Sequence, residues 1–321
     1  MNKLFYGLIS FAAMTAAAHA DPAIRIVGSS TVYPFTTAVA EQFAKKTGNL
    51  APIVESTGTG GGIKLFCSGD GPDTPDAVNA SRTMKKEEKE ACAKAGVAGI
   101  TEITIGIDAI VLAMSKEHPQ MALTTKQIEQ ALAKYVLVDG KFVENTAKLW
   151  SDIDPSLPPD KIEVLGPPPT SGTRDSFVEL VIDKECKAGA KEAGLKLNEE
   201  DEKKFCKSIR EDGAFIEAGE NDNLIVQKLE ANPVALGIFG FSFLEQNANE
   251  IQAVVINDVT PDYDTIASGK YPVARKLYVY FKDSHLAANP SLKAFMEEYQ
   301  SESAIGEDGY LVDKGLIPIL K

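Results

Sequence analysis

The chain has 321 residues, with 46 Asp and Glu against 33 Lys and Arg and a formal net charge of −13. An acidic chain with no basic run is poorly suited to nucleic acid or to an anionic membrane surface, and any anion site in it must work through short, directed hydrogen bonds rather than long-range attraction. The length exceeds what one core usually serves, so two lobes are expected.

Residues 1–20 contain Lys3, an apolar stretch from Leu4 to Ala18 and the small-residue end Ala18-His19-Ala20 before Asp21-Pro22. This pattern predicts a secretory signal peptide cleaved after Ala20 and export of the mature chain. The apolar part is shorter than a membrane span, and no later segment holds eighteen uninterrupted apolar residues. No lipobox cysteine follows the signal, so a lipid anchor is not expected.

Strand-like and helix-like segments then alternate: 24–27 before 33–46, 52–55 before 61–66, and 76–80 before 85–95. This wiring predicts an α/β fold with largely parallel sheets. Residues 101–114 are longer than one ordinary strand and predict a crossing between lobes near Gly106 to Asp108. Thr124 or Thr125 is expected to cap a helix running to about 133. Residues 136–143 predict a hairpin turning at Asp139-Gly140. Trp150, the one tryptophan, offers an optical probe. A strand at 162–165, a turn-rich stretch around Pro167-Pro168-Pro169 and the SGTR helix follow. After a charged segment at 184–207 come a helix at 221–231, a strand at 235–239, a second crossing candidate at 251–256, a strand at 276–281, a helix at 290–299 and an apolar tail.

Three Ser/Thr/Gly clusters stand where predicted strands hand over to helices: GSSTV at 28–32, GTGGG at 58–62 and SGTR at 171–174. At such junctions unpaired backbone N–H groups and the positive helix end face one place, and hydroxyls add donors. Ser29 or Ser30 can cap the first helix, with Pro34 early in it. Three successive glycines are costly in entropy unless the backbone must approach something closely. Nucleotide P-loop spacing is absent. Arg174 adds a permanently charged fork suited to tetrahedral oxyanions, and Ser81-Arg82 follows a strand in the same way.

The four cysteines fall into two close pairs, predicting disulfides Cys67–Cys92 and Cys186–Cys206 in an oxidising compartment. No C-x-x-C occurs, and past the signal only His118 and His285 remain, so neither a structural metal nor a cofactor is expected. There is no G-x-S-x-G elbow and no carboxylate and histidine cluster for a two-metal hydrolase, which argues against an exported phosphatase or other enzyme.

Through GSSTVYPF, ESTGTGGGIK, NASRTMKKEE, TSGTRDSF and GENDNLIVQKLEANPVALGIFGFSF, in that order over nearly the whole mature chain, the sequence resembles the periplasmic phosphate-binding proteins of ABC-type phosphate importers. The resemblance implies a two-lobed periplasmic-binding-protein fold of type II. Each lobe would be a mostly parallel sheet flanked by helices, with dehydrated phosphate in the cleft between them. Lobe I is expected to span 21–107 with 255–321, and lobe II 108–254. The resemblance implies phosphate contacts from Ser30, Thr31 and the Val32 N–H, from Thr59 and Gly60, from Ser81 and Arg82, and from Ser171, Gly172, Thr173 and Arg174. Some members carry aspartate where this chain has Arg82, and arginine where it has Pro167. A carboxylate facing the anion would accept the proton of hydrogen phosphate and repel sulfate. Asp222 at a helix start is the first candidate for that acceptor and Asp108 the second. The expected protein is a monomer that presents phosphate to a membrane permease; sulfate, molybdate and arsenate are the alternative ligands.

Overall fold

The computed structural model describes residues 23–169, 171–219 and 222–319; the expected signal peptide and its cleavage site lie outside them. β1 (Arg25–Gly28) pairs in parallel with β2 (Ile53–Ser56) on one side and β3 (Ala77–Ala80) on the other, setting Val27 opposite both Glu55 and Val78. Helices α1 (Tyr33–Thr47), α2 (Thr59–Phe66) and α3 (Lys86–Lys94) follow these strands in turn. α1 admits Pro34 in its first turn and stops where Gly48 takes a left-handed conformation and returns its N–H to the Ala44 carbonyl.

β4 (Ile100–Ser115) is one continuous strand of 16 residues. After it come β5 (Ala122–Leu123), α4 (Thr125–Leu132), β6 (Tyr135–Val138), β7 (Lys141–Glu144), α5 (Trp150–Ile153), β8 (Val164–Gly166) and α6 (Gly172–Phe177). α6 continues through a π-helical stretch, Val178–Asp183, into a helix at Lys184–Glu192. β9 (Phe215–Glu217), β10 (Leu236–Gly240), β11 (Ile251–Ala253), β12 (Val255–Ile256) and β13 (Ala274–Lys282) complete the strands. Thr124 caps α4, its hydroxyl accepting from the Gln127 N–H at 3.0 Å while the Gln127 side chain accepts from the Thr124 N–H at 2.8 Å. The hairpin of β6 and β7 turns at Asp139 and Gly140, both at positive φ, as a two-residue turn requires.

The sheet order is β2-β1-β3-β13-β4-β10-β8-β9, with β11 also on β4. The outer pairs are parallel, but β13 and β4 run antiparallel to each other, β13 antiparallel to β3, and β10 antiparallel to β4. The expected separate sheets are therefore joined. Residues 100–109 of β4 pair with β13, and residues 110–114 pair with β10. A register shift in the pairing falls between Leu277 and Tyr278, opposite Gly106 and Thr104. The C-terminal tail closes onto the same place: Ile107 and Ile317 exchange backbone hydrogen bonds, and a Cβ on Gly106 would stand 2.5 Å from the Leu316 side chain.

Apolar packing divides along β4. One core gathers Ile24, Ile26, Phe43, Ile105, Leu277 and Phe295, with a satellite around Phe66 and the Cys67–Cys92 disulfide; the other gathers Ile110 to Met114, Trp150, Phe177 and Phe239. The second disulfide, Cys186–Cys206, closes the charged segment of lobe II. Ile256, Ile266, Tyr271 and Val273 all pack in the core of lobe II, where the buried Tyr271 hydroxyl donates to the Ile110 carbonyl at 3.0 Å. β12 pairs in parallel with β5, Val255 opposite Ala122 and Ile256 opposite Leu123. Among the described residues, no helix is long and apolar enough to cross a membrane.

Candidate functional site

A cleft of about 430 Å³ opens between the strand exits of lobe I and the start of α6, lined by Ser29, Ser30, Thr31, Gly58, Thr59 and Ser81 from one side and by Pro169, Arg174, Asp175, Val178 and Glu179 from the other. The lobe I wall depends on two glycines. A Cβ on Gly62 would lie 2.3 Å from the Gly28 Cα, so the first turn of α2 rests directly on the end of β1. Gly28 itself has φ 129° and leaves no room for a side chain beside the Asn79 carbonyl. Ser29 donates its N–H to that carbonyl at 3.0 Å. Behind the loop, the Thr36 hydroxyl donates to Asn79 Oδ1 at 2.8 Å and lies 2.9 Å from the Tyr299 hydroxyl. This buried polar support holds the loop in one geometry.

The N–H groups of Ser30 and Thr31, and those of Thr59, Gly60 and Gly61 at the start of α2, form no hydrogen bond among the described residues. Hydroxyls surround them. Thr59 and Ser81 lie 2.9 Å apart through their oxygens, and the Ser81 N–H donates to the Thr59 oxygen at 3.1 Å. On the lobe II side, the Ser171 oxygen caps α6 by accepting from the Thr173 N–H at 3.2 Å. A Cβ on Gly172 would stand 3.0 Å from both the Ser30 carbonyl and the Thr31 Cα, so the two lobes touch backbone to backbone here.

Charged groups lie in the cleft and behind its wall. Arg275 on β13 lies opposite Asp108 on β4, on the strands that join the lobes. Its Nη2 donates to the oxygens of Thr31 at 3.0 Å and Ser176 at 2.8 Å, and its Nη1 to Glu179. Its Nε is buried without a hydrogen bond among the described residues, 3.8 Å from Asp108. The single Ser176 proton can go to Asp108 Oδ2 at 2.7 Å, to the Gly172 carbonyl at 2.9 Å or to the Thr31 oxygen at 3.1 Å. Burial pushes the Asp108 carboxyl above the usual carboxylate range, against the pull of Arg275 and the Ser176 hydroxyl. Arg174 donates to the Pro167 carbonyl at 3.2 Å and stacks 4.1 Å above the Phe215 ring; burial lowers its guanidinium from the ordinary value. Lys134, Lys207 and Glu211 line the outer part.

The structure brings Ser30, Thr31, Thr59, Ser81 and Arg174 together around this cleft. Gly60 follows Thr59 in α2, and Gly172 and Thr173 open α6 next to the first loop. The Val32 N–H approaches only its own loop, 3.4 Å from the Ser29 oxygen. Arg82 is turned elsewhere: its guanidinium grips Glu88 with two hydrogen bonds of 2.9 and 2.8 Å, and this pair holds the Glu88 carboxyl below its usual range. The cause is α3, which places Glu88 at its third position to accept from the Lys85 N–H at 2.8 Å and so within reach of Arg82. Asp222 opens the helix Asp222–Ala231, and its side chain lies outside what is described. Asp108 is buried at the junction of the lobes, committed to Ser176 and Arg275. Among the described residues no cluster of His, Cys, Asp and Glu could hold a metal.

Sequence reasoning missed Asp175, Glu179 and Arg275. The first two were within reach, since positions four and eight residues after the Ser171 cap fall on one face of the helix it starts. Arg275 carried no local signal; only the antiparallel register of β13 on β4 brings it against Thr31 and Glu179 of the cleft wall.

A family model described as a PBP superfamily domain matches residues 14–303. Protein SphX of Synechococcus elongatus is 33% identical over 278 residues, which span 85% of this chain and 71% of that protein. The phosphate-binding protein PstS of Staphylococcus saprophyticus is 30% identical over 276 residues, 84% of this chain and 73% of that one. Among solved structures, a possible phosphate binding protein from Planctomyces limnophilus aligns at a TM-score of 0.74 and 27% identity, covering 94% of each chain.

Proposed function

Since the chain belongs to the PBP superfamily, in the family of periplasmic phosphate-binding proteins, we propose that it is an extracytoplasmic receptor that closes on inorganic phosphate and delivers it to the permease of an ABC-type importer. The observation that carries this reading is the gathering of the hydroxyl side chains of Ser30, Thr31, Thr59 and Ser81 in one interlobe cleft, together with the backbone N–H groups of Ser30, Thr31 and Thr59, which form no hydrogen bond among the described residues. Such a constellation suits a small tetrahedral oxyanion, which accepts from many directions at once. Thr31, Thr59, Gly60 and Ser81 would hold the anion from lobe I, and Ser171 to Arg174 from lobe II. Arg174 would have to swing from Phe215 to reach it. The lobes would then divide at about residues 107 and 274, the two places where β4 and β13 cross.

Charge-assisted hydrogen bonds contribute roughly 1.5 to 3 kcal/mol each, and micromolar affinity needs about 8 kcal/mol net. A set of this size therefore supports tight binding after dehydration and closure are offset. The protein would work as a periplasmic monomer, cleaved after Ala20, with no catalytic turnover. Calorimetric titration of the phosphate-stripped mature protein at neutral pH tests this. One-to-one phosphate binding with sulfate silent is expected; binding of sulfate or molybdate instead, or of no oxyanion, would overturn it.

A further inference from the structure

Two carboxylates already hold donors that an oxyanion in this cleft would need. Asp175 and Glu179 sit one turn apart on the helix that begins at Ser171, and both line the cleft. Asp175 accepts from the Ser30 hydroxyl, and Glu179 accepts from Arg275 Nη1 and stands 3.5 Å from the Ser81 oxygen. Ser30 and Ser81 belong to lobe I and the carboxylates to lobe II, so the contacts join the lobes across the cleft. Glu179 is also free to move away, with 47% of its side chain exposed against 11% for Arg275. Arg275, whose Nε forms no hydrogen bond among the described residues, would keep Ser176 and the ion pair with Asp108 when Glu179 leaves.

Resting on the receptor reading above, we propose that Asp175 and Glu179 are internal competitors of the ligand: their carboxylates hold Ser30, Ser81 and Arg275 in the ligand's place, are displaced when the anion binds, and so set an upper limit on affinity. Each does this twice over. A donor hydrogen-bonded to a carboxylate must exchange a charge-assisted bond for another of the same kind, which yields little net gain. A carboxylate left nearby then repels a dianion. An amide at either position removes the negative charge and leaves a weaker, neutral acceptor of nearly the same shape.

The test is a calorimetric titration of wild type, Glu179→Gln and Asp175→Asn with inorganic phosphate at neutral pH, alongside thermal melts with and without phosphate. Each variant is expected to bind about tenfold more tightly than wild type, equivalent to about 1.4 kcal/mol. Each should also melt lower than wild type without phosphate and regain that loss at saturation, a crossing that loss of a merely structural contact would not produce. If one variant fails to fold, the other decides. Affinity that is unchanged in a folded variant overturns the competitor role of that residue. Weaker phosphate binding in Glu179→Gln overturns it too and makes Glu179 a direct acceptor of the ligand's proton. Absence of phosphate binding in wild type and both variants overturns the receptor reading itself, whereas a wild type that binds without tightening in either variant overturns only this inference.

Discussion

Gly62→Ala is the sharpest probe of how the lobe I wall is built. The added Cβ would lie 2.3 Å from the Gly28 Cα, 2.9 Å from the Gly28 nitrogen and 3.1 Å from Val78 Cγ2. Carbon atoms in contact prefer about 3.5 to 4.0 Å, so the deficit exceeds about 1 Å. The obstructing atoms are backbone of β1, which is hydrogen-bonded to β2 and β3 on both sides and cannot yield. The first turn of α2 must therefore move outward by roughly that distance, taking Thr59 and the N–H groups of Gly60 and Gly61 with it. A hydrogen bond near 2.9 Å does not survive a 1 Å displacement of its donor. Overpacking of this kind costs about 1 to 3 kcal/mol of stability, and losing even one charge-assisted bond to the anion weakens binding by about tenfold or more. Gly61→Ala is the control for stability, because its Cβ would meet only Thr57 Cβ at an ordinary 3.9 Å. Urea unfolding and phosphate calorimetry on both variants read the two effects. A Gly62→Ala protein within about 0.5 kcal/mol of wild type and unaltered in phosphate affinity would refute the close-contact argument.

Further outcomes can be checked in the same assays. Arg174→Ala should lose at least about tenfold in phosphate affinity while its melting temperature falls only slightly, since the stack on Phe215 is worth about 0.5 to 1 kcal/mol. Replacing Cys67 and Cys92, or Cys186 and Cys206, by serine opens loops whose ends are 25 and 20 residues apart and should cost about 3 kcal/mol per pair, read by urea unfolding. The Arg82 pair holds the folded Glu88 carboxyl below its unfolded value of about 4.3. Its contribution is thus fully present above that pH and is lost as pH falls through the folded value. Glu88→Gln should flatten the decline of stability on acidification in that window, measured by thermal melts from pH 6 downward, and phosphate affinity at neutral pH should stay as in wild type. Trp150 is buried in the lobe II core away from the cleft lining. Its emission should follow unfolding closely and respond little to phosphate.

What the sequence by itself determined is local. Apolar runs, capping residues and glycines act within a few residues of themselves, so the alternation of strands and helices, the Asp139-Gly140 hairpin, the length of β4 and the two cysteine pairs were all readable from it. Three strand-to-helix loops rich in donors were equally legible, because helix starts leave N–H groups unpaired wherever they occur. Tertiary structure alone decided which side chains meet. The register of β13 on β4 brings Arg275 from the far end of the chain to Thr31, Ser176 and Glu179. The geometry of α3 gives Arg82 to Glu88 rather than to the cleft. Packing joins Ile266, Tyr271 and Val273 to the core built on Ile110 to Met114, more than a hundred and fifty residues earlier in the chain. An arginine or a carboxylate has several possible partners in sequence. Which one it takes depends on distances between elements, and those exist only once the lobes have packed.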